Sequence, residues 1–214
     1  MILPSGDTKG RPLLVLLHGR SSSPDSMARG SIAKAVHELG DGAPVVLLAN
    51  GGDHSYYHDR RDGHWGAYIL REVIPAAIRK YHLDHRRVAI GGFSMGGFGA
   101  LDLGRYRRFC AVGGHSAAMW RTGGETPAGA FDDAEDFDRN DVIALARANP
   151  NLYRSARIWL DVGTQDPFRN ADAELAGILP HRRFRLWQGG HEISYLDGHA
   201  VEIILFYANA LRDC

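Results

Sequence analysis

Ser94 lies at the centre of the pentapeptide GFSMG, residues 92–96. This G-x-S-x-G pattern is typical of a nucleophile elbow, a tight turn between a strand and a helix that exposes a serine hydroxyl. Glycines are needed on both sides because larger side chains would collide with the neighbouring strand and helix. The pattern is short enough to arise by chance, so its surroundings must support it. An apolar run at residues 87–93 precedes it and a helical pattern follows it, and both favour Ser94 as a nucleophile.

A histidine and an aspartate follow two other apolar runs of the chain. His191 comes after one such run and two glycines, which let the backbone bring its imidazole close to Ser94. A neutral imidazole can accept the serine proton, and a carboxylate can orient that imidazole and stabilise its charged form. Asp166, just beyond the run 157–163, is predicted to be this carboxylate. Asp161 is the alternative, although it lies within the run rather than past its end.

Backbone amides are the candidates for stabilising the negative charge that forms when a serine attacks a carbonyl group. The amide of Met95, directly after the nucleophile, is one expected donor. Residues 18–20 follow the first apolar run, and the amide of Arg20 is the expected second donor. We therefore predict an oxyanion hole formed by Arg20 and Met95.

The segment 51–66 (GGDHSYYHDRRDGHWG) is rich in histidine, aspartate and aromatic residues. It follows an apolar run, so we expect it at the same edge as the serine, where it would line the substrate site. The candidate lining residues, from this segment and from loops beside it, are His18, His54, Tyr56, Tyr57, Trp65 and Trp120. His54 and His58 are four residues apart, as a metal-binding pair could be, but no second ligand cluster accompanies them. No metal site is predicted.

The elements that must position these residues alternate between strands and helices. Short apolar runs, typical of buried parallel strands, occupy residues 12–17, 44–50, 87–93 and 157–163, with weaker ones at 110–114 and 183–188. Helical patterns occupy residues 23–39, 67–81, 95–106, 142–148, 171–179 and 200–211, the second of which Pro75 would kink or break. This alternation predicts an α/β fold with a mostly parallel sheet and helices on both faces. Sites in such sheets form beyond the carboxyl ends of the strands, which places serine, aspartate and histidine on one edge.

Residues 1–214 carry no internal repeat or low-complexity linker, so we expect a single domain. One irregular insertion, at about residues 119–140, is long for a loop and predicts a small lid or a surface excursion. The acidic run 132–138 within it is expected to be a solvated face. A lid that disfavours anionic substrates is the functional alternative.

Composition limits the classes of function and partner. Lys plus Arg and Asp plus Glu both number 25, and this balance gives no support to nucleic-acid binding. No stretch has the length of a transmembrane helix and no signal peptide is recognisable, so we expect no membrane insertion and a cytoplasmic protein. Secretion is the alternative if the N-terminus has been trimmed. Cys110 and Cys214 are expected to be free thiols.

Five motifs are spread over about residues 12–210: LLHG at 16–19, WGAY at 65–68 leading to EVIP at 72–75, GFSMGG at 92–97, GTQD at 163–166 and GH at 190–191. Together they resemble the esterase D group of the α/β-hydrolases, which includes S-formylglutathione hydrolases, feruloyl esterases and secreted mycolyltransferases. The resemblance implies an α/β-hydrolase fold with little or no cap domain. It also implies a triad of Ser94, Asp166 and His191, and an oxyanion hole formed by the amides of Arg20 and Met95.

These observations predict a serine esterase that hydrolyses small-molecule carboxylic esters through an acyl-enzyme on Ser94, without a cofactor. An acyltransferase or a thioesterase would use the same triad, because the acyl-enzyme does not dictate which nucleophile attacks it. A peptidase of the same fold and a non-catalytic binding protein on a hydrolase fold are further alternatives. The oligomeric state is not predicted.

Overall fold

A computed structural model describes all residues from Met1 to Cys214. Its strands are β1 (Leu13–Leu17), β2 (Val45–Ala49), β3 (Asp59–Arg60), β4 (Gly63–His64), β5 (Val88–Phe93), β6 (Ala111–His115), β7 (Arg157–Gly163) and β8 (Arg182–Trp187). β3 and β4 form a small antiparallel hairpin. The other six strands form one parallel sheet in the order β2-β1-β5-β6-β7-β8. The predicted α/β fold with a parallel sheet is confirmed.

The helices are α1 (Pro24–Arg29), α2 (Ser31–Leu39), α3 (Trp65–Ala67), α4 (Ile74–Tyr81), α5 (Met95–Leu103), α6 (Ala134–Asn140), α7 (Val142–Ala148), α8 (Arg169–Ile178) and α9 (Ile193–Arg212). A π-helix, Tyr68–Val73, joins α3 to α4. Pro75 lies in the first turn of α4, where the missing N–H costs no hydrogen bond, so it marks a helix start rather than a kink. None of the helices combines the length and the apolar character that a membrane span requires.

The helices differ from the predicted pattern most clearly in three places. Gly30, in an extended conformation, divides the predicted helix 23–39 into α1 and α2. α9 begins at Ile193, well before the predicted start at residue 200, because polar residues and Gly198 hide the pattern of its first two turns. The insertion at 119–140 is partly helical, since it holds a 3₁₀ turn, Gly123–Glu125, and the helix α6.

Alternate residues of the strands face opposite sides of the sheet, as the two-residue period of a strand requires. In β1, Leu13, Val15 and Leu17 pack into one core together with buried residues of α4, α5, α7 and α8. Leu14 and Leu16 pack into a second core with α1, α2 and α9. Strands covered on both faces carry continuous apolar runs, which explains why the inner strands are easily recognised. The edge strand β8 is half exposed and therefore carries the weaker, arginine-rich pattern.

The prediction that both cysteines are free thiols is wrong. Cys110 and Cys214 form a disulfide that joins the chain end after α9 to the residue before β6. The two cysteines are 104 residues apart in sequence, and their Cα atoms are 5.7 Å apart. Only the packing of α9 across the sheet brings the last residue to Cys110, so the cysteine spacing could not reveal the bond.

The acidic run 132–138 is not simply a solvated face. Asp136 is fully buried, and its Oδ2 lies 3.0 Å from Nε2 of His58. Asp132 accepts a hydrogen bond of 2.7 Å from the Arg61 amide, which holds the pKa of Asp132 below its usual value. The run therefore fastens the insertion to the loop that follows β2, because isolated buried carboxylates are costly and need such partners.

Candidate active site

Ser94 forms a strained turn between β5 and α5. Its φ of +55° lies in a region that non-glycine residues rarely adopt. A Cβ on Gly92 would lie 2.2 Å from the carbonyl oxygen of Gly96, and one on Gly96 would lie 2.1 Å from that of Leu17. Neither position can carry a side chain. The glycines thus allow the strand and helix to meet so closely that the serine hydroxyl is presented at the end of the sheet.

Ser94, His191 and Asp166 form one continuous hydrogen-bonded chain. Ser94 Oγ lies 2.8 Å from His191 Nε2, and His191 Nδ1 lies 2.8 Å from Asp166 Oδ2. Because a carboxylate oxygen only accepts, Nδ1 carries the proton and Nε2 of the neutral ring can accept from the serine. The Asp166 side chain is fully buried, whereas that of His191 is 24% exposed. This arrangement can move a proton from the serine to the imidazole at a solvent-accessible point.

Backbone contacts fix the loop that carries His191. The Gln165 amide donates to the carbonyl oxygen of Gly189 at 2.9 Å. A Cβ on Gly163 would lie only 2.4 Å from that same oxygen, so the end of β7 and the histidine loop approach without side chains between them. Gly189 has a φ of +140°, a conformation that favours glycine. The backbone contacts of this loop therefore place the imidazole beside Ser94.

Two aromatic rings enclose the imidazole of His191. Phe93 stacks on it with a centroid distance of 5.3 Å and an interplanar angle of 20°. Phe168 meets it edge to face at 5.0 Å. The Phe168 amide also donates to Oδ1 of Asp166 at 2.8 Å, which occupies the carboxylate oxygen that does not face the imidazole. Sequence reasoning missed Phe168, although its position two residues after Asp166 was an available signal.

Two backbone amides near Ser94 have no acceptor within the protein. Met95 is the first residue of α5, where an N–H has no intrahelical partner. The Arg20 amide donates no hydrogen bond to another protein group. The loop that carries Arg20 lies against the nucleophile, because a Cβ on Gly19 would be 3.3 Å from Cβ of Ser94. Both amides are therefore free to bind an oxygen atom of a substrate.

Ser94 and His191 open onto a cavity of about 990 Å³. Its apolar lining residues include Tyr56, Phe93, Ala118, Trp120, Pro127 and Phe168. Its polar lining residues include Arg20, Ser21, Ser22, Ser23, Ser26 and Glu125. A cavity with this mixed lining suits a molecule that has both apolar and polar groups.

The structure brings two of the six candidate lining residues, Tyr56 and Trp120, to the cavity wall. Their ring centroids are 5.3 Å apart in an edge-to-face arrangement. Tyr56 has a φ of +48°, so its backbone lies in a sparsely populated region. Burial raises the pKa of the Tyr56 phenol, against the opposing charge of Arg20, so the hydroxyl is neutral near pH 7.

The other four candidate residues do not line this cavity. His18 and Tyr57 lie beneath it, where the Tyr57 hydroxyl bonds to the His18 backbone and His18 Nε2 accepts from the Gly51 amide at 3.1 Å. These two side chains tie together the loops that follow β1 and β2. His54 Nε2 lies 2.8 Å from the Arg20 guanidinium, behind the cavity wall. Trp65 packs elsewhere, against the loop after β2.

Asp161, the alternative acid, belongs to a different set of contacts. Its Oδ2 lies 2.6 Å from Nδ1 of His115, and its Oδ1 accepts from the Tyr195 hydroxyl at 2.9 Å. It makes no hydrogen bond with His191. The two aspartates thus contact two different histidines, and Asp166 is the one that contacts His191.

The histidine pair 54 and 58 does not form a common site. His54 contacts Arg20, whereas His58 is buried against Asp136. No group of three or more His, Cys, Asp or Glu side chains is arranged to hold a metal ion.

Comparison with known protein sequences identifies a family and two relatives that match this chain to the same extent. Residues 1–200 match the sequence model of the Esterase family, whose description is "Putative esterase". Esterase Rv1288 of Mycobacterium tuberculosis is 27% identical over an alignment of 215 positions, which covers 83% of this chain and 45% of that protein. Esterase MT1326 of the same species matches to the same extent. The chain thus spans about half the length of the curated relatives it matches.

Comparison with solved structures gives the same fold. A ferulic acid esterase superposes with a TM-score of 0.82 at 23% identity, over 94% of this chain and 86% of that one. An S-formylglutathione hydrolase from Agrobacterium tumefaciens superposes with a TM-score of 0.74 at 18% identity, over 95% and 85% of the two chains. Since the family match covers all but the last turns of α9, this chain belongs to the Esterase family and has the α/β-hydrolase fold.

Proposed function

We propose that this protein is a serine esterase that hydrolyses small carboxylic esters through an acyl-enzyme on Ser94. The observation that carries the proposal is the hydrogen-bonded chain from Ser94 through His191 to Asp166 at the edge of an open cavity. Membership of the Esterase family supports it.

Acylation begins when Ser94 Oγ attacks the carbonyl carbon of the ester and its proton passes to His191 Nε2. The carbonyl oxygen becomes negative and is held by the amides of Arg20 and Met95, which have no protein acceptor to give up. Asp166 stabilises the imidazolium that forms. Collapse of the intermediate breaks the bond to the leaving alcohol, which takes the proton from His191.

Deacylation repeats these steps with water as the nucleophile. The 24% exposure of His191 supports direct access of water to Nε2. His191 accepts a proton from the water as its oxygen attacks the acyl carbon, and the same amides hold the second oxyanion. The acid leaves when the Ser94 bond breaks and His191 returns the proton to Oγ. No cofactor takes part in these steps.

The mixed lining of the cavity supports an ester that has both apolar and polar groups. Tyr56, Trp120 and Phe168 form a continuous aromatic surface, because the Trp120 ring contacts both of the others. The serines that follow Arg20 offer hydroxyl groups.

Labelling with a fluorophosphonate probe and hydrolysis of p-nitrophenyl acetate and butyrate test the proposal. We expect the folded protein to be labelled and to release p-nitrophenol, and Ser94→Ala to abolish both signals. Ser155→Ala, at an exposed serine outside the cavity, is the matched control and should retain both. An unlabelled, inactive but folded protein would instead indicate a binding protein on a hydrolase fold.

Acceptor competition distinguishes hydrolysis from acyl transfer on the same triad. We expect free acid to be the main product when alcohols are added at concentrations far below that of water. Predominant formation of the new ester would show that the protein is an acyltransferase rather than an esterase. Faster turnover of a matched thioester than of the oxygen ester would favour a thioesterase.

The Cys110–Cys214 disulfide supports a location in an oxidising compartment rather than in the cytoplasm. Disulfides persist in such compartments and are reduced by cytosolic thiols. Treating intact cells and cell extracts with a thiol-reactive polyethylene glycol reports the state of both cysteines in the producing organism. Modification of both thiols in protein trapped directly from cells would show that the cysteines are reduced there, and would favour a cytoplasmic location.

A further inference from the structure

A cavity of about 560 Å³ lies at the end of the sheet opposite to Ser94. Its walls come from residues 104–109, which lead from α5 into β6, and from residues 149–156, which lead from α7 into β7. Both segments precede a strand, whereas Ser94 follows one. The length of a strand, about 15–20 Å, separates the two ends of the sheet. This cavity shares no lining residue with the cavity around Ser94.

The charged residues that line this cavity, which we call the arginine cavity, are all basic. None of its 13 lining residues is an aspartate or a glutamate, and the arginines among them are Arg105, Arg107, Arg108 and Arg154. The whole chain has 25 basic and 25 acidic residues, so the excess of positive charge here is a local separation of charge. A concave surface lined by charges of one sign attracts ions of the opposite sign.

One of these arginines is paired within the protein. Arg105 donates from Nε and Nη2 to Oδ1 of Asp102, at 2.9 and 2.7 Å. The side chains of Arg107, Arg108 and Arg154 form no ion pair and no hydrogen bond within the protein. Three guanidinium groups of the arginine cavity therefore keep all their N–H donors, in the planar fork that matches the oxygens of carboxylates and phosphates.

Arg107 is the least exposed of these three arginines. It is half-buried, and its guanidinium carbon lies 5.1 Å from the centre of the Phe109 ring. Burial lowers the pKa of Arg107, so the surrounding protein disfavours its positive charge, although arginine stays protonated in proteins. A partly desolvated charge is normally paired. An anion from outside the chain would offset the cost of burying this guanidinium.

Backbone N–H groups of the same walls are further donors. The amides of Arg107, Arg108 and Ser155 donate no hydrogen bond to a protein acceptor. The hydroxyl of Tyr153 donates to the carbonyl oxygen of Leu101 at 2.6 Å, which fixes the loop 149–156 against α5. The walls of the arginine cavity are thus anchored by contacts that do not use these donors.

The number of free donors favours phosphate over carboxylate. A carboxylate has two oxygens and a single charge, which one guanidinium can engage fully in a bidentate pair. A phosphate monoester has three terminal oxygens and a charge of about −1.5 to −2 at neutral pH, so it can pair with several arginines at once. We propose that the arginine cavity binds the phosphate group of a phosphate monoester through Arg107, Arg108 and Arg154. A soluble ester and a lipid headgroup present the same phosphate chemistry, and the experiment below separates them.

Titration calorimetry with glycerol phosphate at low ionic strength is the first arm of the test. We expect a dissociation constant of about 1 mM or lower, and acetate, the carboxylate control, should bind at least about tenfold more weakly. Sedimentation with phosphatidylcholine vesicles that contain phosphatidic acid, whose headgroup is a phosphate monoester, is the second arm. Binding of glycerol phosphate alone would support the site with a soluble ester as ligand. Binding of the vesicles alone would support it with a lipid headgroup as ligand.

Two variants locate the binding on the arginine cavity. Arg108→Gln and Arg154→Gln each remove an exposed guanidinium, so the fold should stay intact, and circular dichroism checks this. Each is expected to weaken binding of the phosphate probe about tenfold. Arg79→Gln, at an exposed arginine of α4 that does not line the cavity, is the matched control and should bind as the wild type does.

The cavity around Ser94 also contains an arginine, Arg20, and is therefore the competing site for an anion. Arg20→Gln should leave the affinity for the phosphate probe unchanged. The proposal is overturned if neither glycerol phosphate nor the vesicles bind, or if Arg108→Gln and Arg154→Gln bind as tightly as Arg79→Gln. It is also overturned if Arg20→Gln abolishes binding, which would place the phosphate beside Ser94. None of these outcomes depends on whether the protein is an esterase.

Discussion

The hydroxyl of Tyr195 donates a hydrogen bond of 2.9 Å to Oδ1 of Asp161, and this contact ties the first turn of α9 to β7. Oδ2 of the same aspartate lies 2.6 Å from Nδ1 of His115, whose Nε2 lies 2.9 Å from the Tyr207 hydroxyl. The four side chains form a buried network directly beneath the elbow. The His115 carbonyl oxygen also accepts from the Ser94 amide at 3.1 Å.

Two glycines, one in β5 and one in β6, leave space for this network. A Cβ on Gly91 or on Gly113 would lie 1.9 Å from the hydroxyl of Tyr207, so neither strand can carry a side chain there. The network connects β6 and β7 to α9, which follows directly after His191. It is thus placed to set the position of the imidazole relative to Ser94, and Tyr195 is its member closest in sequence to His191.

Tyr195→Phe is expected to lower kcat about tenfold while KM changes less than about twofold, since the imidazole loses an anchor but the cavity wall is unchanged. Steady-state kinetics on a p-nitrophenyl ester measures both constants. Tyr207→Phe removes a hydroxyl from the far end of the same network and is the control. We expect it to lower the free energy of unfolding by about 1–2 kcal/mol with kcat nearly intact. Equal effects of the two variants on kcat would contradict a positioning role for Tyr195.

The pH dependence of the reaction follows from the role of His191. Only the neutral imidazole can accept the Ser94 proton, so kcat/KM should rise as the pH is raised from the acid side and then level off. Asp166→Asn can donate to Nδ1 and so favours the wrong tautomer, which should lower kcat roughly 10⁴-fold. Profiles of both proteins from about pH 5 to 9 provide the measurement. A flat profile of the wild type would exclude His191 as the base.

The positions of Ser94, Asp166 and His191 could be predicted because backbone features define them: glycines that permit a close approach, and strand ends that meet at one edge. The direction in which loop side chains point could not be predicted. Tyr56 and Tyr57 are neighbours with φ values of +48° and +62°, yet Tyr56 lines the cavity and Tyr57 lies beneath it. Sequence periodicity gives no direction for side chains on such backbone.

Long-range pairings were also invisible in the sequence. The disulfide depends on where α9 ends against the sheet, and the burial of Asp136 depends on His58, which lies 78 residues earlier. An acidic run next to a loop gives no local sign of either contact. The strands could be predicted because buried strands have continuous apolar runs. These polar pairings have no such local pattern, since they form only when the sheet and its loops are assembled.

Cys214→Ser is expected to lower the free energy of unfolding by about 2–4 kcal/mol, because the disulfide closes a long loop and restricts the unfolded chain. Urea denaturation with and without a reductant measures the change. Reductant should destabilise the wild type by a similar amount and leave Cys214→Ser unaffected. Two free thiols in unfolded protein that has never been reduced would show that the bond does not form.

Asp172 is a buried carboxylic acid on α8 that the proposed reaction does not use. It is fully buried, and neither of its oxygens has a hydrogen-bond partner. Burial raises its pKa well above the ordinary value, and the charges of Asp166 and Asp161 raise it further. The folded protein therefore keeps a proton on Asp172 at pH values where the unfolded chain releases it. For this group, stability is present below the unfolded pKa and is lost as the pH rises toward the folded pKa.

Asp172→Asn removes that penalty, because an amide stays neutral in both states. We expect the variant to raise the free energy of unfolding at pH 7 by on the order of 2 kcal/mol relative to the wild type. The gain should nearly disappear at about pH 3, where the unfolded aspartate is itself largely protonated. Urea denaturation at both pH values measures it, and Asp138→Asn, at an exposed aspartate of α6, is the control for which no such change is expected. A gain that is equal at both pH values would show that Asp172 gains no proton on folding.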